Sequence, residues 1–153
     1  MQLRSVWLAV IAVMALGGMA SADTKAKGRM VVTDTSIEIL NPVTFEKDKA
    51  KLTAGSFAIL DAISSTLKGN PGILLVEVQS HTDDRGDEKH NLALSQERAD
   101  AVRNYLVASH LDPSRLTAQG YGGTQPIDRA HNAAAWAKNE RVAFLILKRS
   151  SDQ

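Results

Sequence analysis

Between the breaker Gly69-Asn70-Pro71-Gly72 and the polar stretch Ser80–His90 lies the segment that most constrains the fold, Ile73-Leu74-Leu75-Val76-Glu77-Val78. It is too short for a stable helix and is rich in aliphatic and β-branched side chains. It therefore reads as a strand at the buried centre of a sheet. Such a strand needs neighbours and a covering layer, and the rest of the chain supplies both. Ile37-Glu38-Ile39-Leu40 alternates and Val43-Thr44-Phe45 follows Pro42, a strand bent at a residue that cannot donate to a ladder. Thr53 is placed to cap a helix over 54–68, whose apolar positions Phe57, Leu60, Ile63 and Leu67 recur in steps of three and four. A second helix is predicted over 92–109, ended by Pro113, and a short strand over 116–121. Gly120, Gly122, Gly123 and Pro126 make a turn-rich connection to a short helix over 133–139 and a last strand over 141–147. The order β-α-β-α-β-(α)-β predicts an α+β domain over residues 37–149, a mixed sheet with helices packed on one face.

The residues before it read as a targeting segment. Arg4 precedes an unbroken apolar run of 11 residues, Val6–Leu16, followed by Gly17-Gly18-Met19 and Ala20-Ser21-Ala22. This basic, apolar, small-residue order predicts a signal peptide over 1–22, cleaved after Ala22. The alternative is a retained membrane anchor, but the run falls short of the ~20 residues that span a bilayer. Residues 23–36 are polar, with Lys25, Lys27 and Arg29, and read as a linker or leading segment; 150–153 read as a tail. Cleavage would remove Arg4 and no acid from a chain of 18 basic and 17 acidic residues, leaving a near-neutral protein. No cluster of Lys and Arg marks a nucleic-acid surface. The absence of cysteine excludes disulfides, thiolate metal sites, a cysteine nucleophile and a lipid-modified N-terminal cysteine.

Chemistry is densest in His81–Ala99, a polar loop that leaves the central strand and enters the second helix. Leu94, Arg98, Val102 and Leu106 recur every four residues, so a guanidinium stands in an apolar ridge. A buried charge must find a partner. Arg98 therefore either braces the loop in an ion pair, with Asp83 or another acid, or presents its planar fork to a ligand carboxylate. A calcium loop from Asp83 fails because Arg85 falls at a ligand position. His81, His90, His110 and His131 lack metal-ligand spacing, so no metal or other cofactor is expected. There is no Gly-x-Ser-x-Gly and no Ser-x-x-Lys, and no carboxylate pair stands out for glycan cleavage, so no catalytic residue is assigned.

The pattern His81-Thr82-Asp83, Gly86, Asn91-x-x-Leu94-Ser95-x-x-Arg98-Ala99 resembles the OmpA-like C-terminal domain family. The likeness starts at Phe45–Leu52 and the helix with Leu60. It continues through Val102, Leu106, Gly120-Tyr121-Gly122, Pro126 and Lys138-Asn139-Glu140-Arg141-Val142, covering nearly all of 37–149. The resemblance implies non-covalent binding of peptidoglycan through the diaminopimelate of its stem peptide, without catalysis. Asp83 and Arg98 match the family's acid and arginine. The arginine would clamp a ligand carboxylate, and the aspartate would orient the ligand's backbone or ammonium group. Asn91 and Leu94 would line the same pocket, with a backbone N–H from Thr82.

Three departures stand out: Ser80 replaces a glycine, Glu140 replaces the first arginine of Asn-Arg-Arg, and Lys47 replaces an aromatic residue. The first two are expected to leave the Asp83–Arg98 pair untouched; the third would weaken packing on the ligand. Fourteen residues between the expected cleavage site and the domain are too few for an outer-membrane barrel. The expectation is a free-standing periplasmic wall-binding domain without a lipid anchor, associated with outer-membrane or other envelope proteins. The alternatives are an envelope scaffold that binds another protein and a wall-acting hydrolase.

Overall fold

The computed structural model describes residues 30–150; the expected signal peptide and residues 23–29 and 151–153 lie outside the described residues. Five strands form one sheet in the order β1-β2-β5-β3-β4: β1 (Met30–Val32), β2 (Ser36–Ile39), β3 (Ile73–His81), β4 (Leu116–Gly122) and β5 (Arg141–Arg149). β3 pairs antiparallel with β5 and parallel with β4. A parallel pair requires a crossover, and α2 (Glu88–Ala108) provides it. With α1 (Ala54–Gly69), α2 covers one face. Leu60, Ile63 and Leu67 of α1 and Ala99, Val102 and Leu106 of α2 are buried against Val76, Val78, Phe144 and Ile146 of the sheet. α3 (Ala133–Asn139) lies just before β5. The expected mixed α+β sheet is thus the observed one, with β3 at its heart.

Several boundaries differ from expectation for identifiable reasons. Met30–Val32, expected in the linker, forms the edge strand β1, paired from Met30↔Ile39 to Val32↔Ile37. The hydroxyl of Thr33 closes this hairpin by accepting from the Ser36 N–H at 2.9 Å. Residues 43–45 do not extend a strand; Phe45 makes only an isolated bridge to Leu52. β3 continues through Ser80 and His81, which were expected in the loop. α2 begins at Glu88 rather than near Leu92, because the Asp87 carboxylate caps it by accepting from the His90 N–H at 2.7 Å. Thr53 occupies the N-cap of α1 but makes no capping bond; its hydroxyl meets that of Thr44. Phe57, expected in the core, is 39% exposed and stacks on Tyr105 of α2.

The free edge of β4 is completed by side chains of α2. The Leu116 carbonyl accepts from Arg103 Nε at 3.0 Å, and the Ala118 carbonyl accepts from Gln96 Nε2 at 3.3 Å. The Gly120 N–H donates to Gln96 Oε1 and the Gly122 N–H to Ser95 Oγ, both at 2.8 Å. An edge strand otherwise presents unpaired backbone groups, so this ladder replaces a sixth strand. It requires the helix backbone to lie against the strand: a Cβ on Gly120 would fall 2.2 Å from the Gln96 nitrogen.

Gly120→Ala is accordingly expected to lower the free energy of unfolding by about 3 kcal/mol, because neither backbone can retreat. Gly55→Ala, where a Cβ meets nothing within 4 Å, is the control. It should stabilise α1 by roughly 0.5–1 kcal/mol. Urea denaturation of the two variants checks both signs.

Candidate functional site

The loop from the end of β3 to the start of α2 is pinned from below. The Gly122 carbonyl accepts from the Thr82 N–H at 3.0 Å, and a Cβ on Gly123 would lie 2.9 Å from the Asp83 carbonyl. Gly86 turns the loop at φ +86, a region open to glycine. Asn91 Nδ2 donates to the Arg85 carbonyl at 2.7 Å. On the far side Asp84 accepts from Trp136 Nε1 at 3.0 Å and meets His131 Nδ1 at 2.8 Å, which ties the loop to α3 and its approach.

This frame holds Asp83 at 6% exposure. Its Oδ1 accepts from the Arg85 N–H at 2.9 Å, and its Oδ2 accepts from Arg85 Nη2 at 2.7 Å and Nε at 3.2 Å. The Arg85 hydrogen bonds hold the carboxyl below the usual carboxylate range, against the opposing effect of burial. The Arg85 guanidinium lies 4.3 Å from the Trp136 ring centroid.

Arg98 is 5% exposed. It does not pair with Asp83. Its Nε donates to the Lys49 carbonyl at 3.0 Å, its Nη1 to Glu140 Oε1 at 2.7 Å, and its Cζ lies 5.0 Å from the Phe45 ring centroid. The acid that departs from the family pattern is thus the partner of Arg98. The expectation that this departure leaves the site untouched is corrected.

Two clefts meet here. One, of about 300 Å³, is lined by Thr82, Asp83, Asn91 and Leu94; the other, of about 410 Å³, by Phe45, His81, Arg98 and Arg141. Lys47, Asp48, Arg85 and Glu140 line both, so they form the wall between them. Four of the five expected site residues share one cleft, and Arg98 faces the next. The expected role of Thr82 changes, because its N–H is committed to Gly122; its buried hydroxyl has no partner among the described residues. Arg85 was missed as a site residue. The signal for it was local: Asp83 stands two residues before it, the spacing at which a carboxylate accepts from the backbone.

His81 floors the larger cleft at 2% exposure, stacked on Tyr121 with centroids 5.2 Å apart. Neither ring nitrogen has a partner among the described residues. Burial, helped by the Arg141 charge, lowers its pKa to about 4.

Comparison with known proteins matches residues 44–140 to the OmpA family. The chain is 35% identical to the peptidoglycan-associated lipoprotein of Pasteurella multocida, over 88% of this chain and 90% of that one. It is 38% identical to the peptidoglycan-associated lipoprotein of Haemophilus influenzae, over 68% of this chain and 67% of that one. The crystal structure of the peptidoglycan-associated lipoprotein from Burkholderia pseudomallei superposes with a TM-score of 0.60 at 32% identity, covering 68% of this chain and 86% of that one.

The His81 shift has a sign that can be measured. The folded imidazole binds its proton near pH 4 and the unfolded one near 6.5, so unfolding takes up a proton between these values. The stability contribution is present above pH 6.5 and is lost as pH falls toward 4. Between about pH 7 and about pH 4.5 the wild type should lose roughly 2 kcal/mol more than His81→Leu in chemical denaturation. Equal losses would show that the folded imidazole takes up its proton at the ordinary value.

Proposed function

Because the chain belongs to the OmpA family, we propose that it binds peptidoglycan non-covalently, taking the diaminopimelate of the stem peptide between Asp83 and Arg98. The observation that carries this reading is the placement of two buried opposite charges at adjoining clefts that open to solvent. Burying either charge is costly, and neither compensates the other directly. An amino-acid end carrying an ammonium and a carboxylate offers both complements at once. The fork of Arg98 suits the carboxylate, and Asp83 takes the ammonium or a backbone N–H. Asn91 holds the loop and Leu94 supplies an apolar wall.

The same reading makes the protein a binding module and not an enzyme. It works in the periplasm, exported by the signal peptide read at 1–22. The relatives are named as lipoproteins, whereas this sequence contains no cysteine. We propose that the domain itself attaches to the wall. A second reading, a scaffold for an envelope protein, is favoured by one observation. Leu40 and Ile127, 63% and 54% exposed, line a shallow cleft beside Ala143 and Leu145 of β5.

Co-sedimentation with purified peptidoglycan separates these readings. Retention that soluble muropeptide competes away, without release of fragments, supports binding alone. Fragment release would indicate a hydrolase, and no retention would favour the scaffold. Asp83→Ala and Arg98→Ala should each weaken retention by about one to two decades, the worth of a charge-assisted hydrogen bond. Arg98→Lys should also bind poorly, because an ammonium cannot present a planar fork. Melting curves on the same variants must stay cooperative; wild-type affinity in a folded double variant would refute the assignment.

A further inference from the structure

Resting on that reading, we propose that Arg85 and Glu140 are built-in stand-ins for the two charges of the ligand: each occupies the site residue that the ligand must engage, and binding proceeds by exchanging them. The geometry separates holders from stand-ins. The side chains of Asp83 and Arg98 are 8% and 7% exposed, whereas those of Arg85 and Glu140 are 59% and 45% exposed. The first two are fixed by their surroundings; the second two can swing into solvent.

The contacts are those a zwitterionic amino acid would make. A guanidinium sits on Asp83 where an ammonium would sit, and a carboxylate sits on Arg98 where the ligand carboxylate would sit, each at 2.7 Å. Arg98 keeps its place without Glu140, because Nε is held by the Lys49 carbonyl. Its Nη2 makes no hydrogen bond among the described residues, so withdrawal of Glu140 from Nη1 frees the whole Nη1–Nη2 edge for a carboxylate.

The displaced groups also have somewhere to go. Both line both clefts, and the Glu140 charge already acts on the Arg85 guanidinium. Released from Asp83 and Arg98, they can pair with each other, while Arg85 retains the Trp136 face. Two internal pairs then become two ligand pairs and one internal pair, and no charge is left buried alone. The exchange keeps the empty site neutral and stable and sets the affinity below what Asp83 and Arg98 could reach unopposed.

The test is titration calorimetry of the whole soluble protein with the tripeptide L-Ala-D-isoglutamyl-meso-diaminopimelate. Glu140→Gln should bind it about two- to fivefold tighter than wild type, the value of one partly exposed ion pair. Glu140→Asp, which keeps the charge but cannot reach Arg98 as well, should tighten in the same direction. Arg85→Gln should do so at Asp83. In an Arg98→Ala background the gain from Glu140→Gln should vanish. Wild-type binding with Glu140→Gln equal or weaker, melting unchanged, would overturn this proposal and leave the peptidoglycan reading standing. No binding by wild type or any variant would overturn both.

Discussion

The structure depends on one close approach, the backbone of α2 against the edge of β4 at Gly120. A parallel β3–β4 pair needs a crossover helix, and here that helix also closes the sheet edge with Ser95, Gln96 and Arg103. The two jobs fix its height and its rotation together. With Gln96 locked to Gly120 and Ser95 to Gly122, Arg98 must point toward the turn after Phe45, one helical step further along. The same glycine run presses on Asn91 and Leu92 of α2 through Gly122 and on the Asp83 loop through Gly123. One packing contact thus positions both charged groups of the candidate site, which come from different elements.

Charge then governs what the frame can do. Asp83 and Arg98 are buried deeply enough that an isolated charge at either place would be strongly destabilising. Each is satisfied by a largely exposed counter-charge, Arg85 resting on Trp136 of α3 and Glu140 standing at the start of β5. The clefts stay open to solvent while the charges that line them are balanced. The neutral His81 below it adds no charge of its own at neutral pH and leaves the balance to these four groups.

Much of this was legible in the residues. The aliphatic run of β3 buries Ile73, Val76 and Val78, the steps of α1 bury Leu60, Ile63 and Leu67, and the Leu94-Arg98-Val102-Leu106 ridge is buried throughout; Leu74 of the run is exposed. The oddity of Arg98 in that ridge was visible too. Less could be read where pairing is distant in sequence. Met30–Val32 carries no pattern of its own and becomes a strand only because Ser36–Ile39 is there to pair with it. Phe57 obeys the helical period yet faces Tyr105 at the surface, because the period marks a stripe and not its depth. The partner of Arg98 lies 42 residues away, and nothing local in Asn139-Glu140-Arg141 announces it. The glycines read only as turn signals, since the need for a missing Cβ appears when the opposing helix is in place.

On the proposed reading, a wall-peptide ligand enters at Asp83 and Arg98 and displaces Arg85 and Glu140. The most direct measurement is a nuclear magnetic resonance titration of the isotope-labelled protein with the diaminopimelate tripeptide, following backbone amides and arginine Nε–H signals. Entry at Asp83 and Arg98 should produce saturable shifts of the Arg98 and Arg85 Nε–H signals and of the amides from Thr82 to Asn91, with the sheet face around Leu145 silent. Shifts confined to that face, with both arginine signals unmoved at saturation, would contradict it.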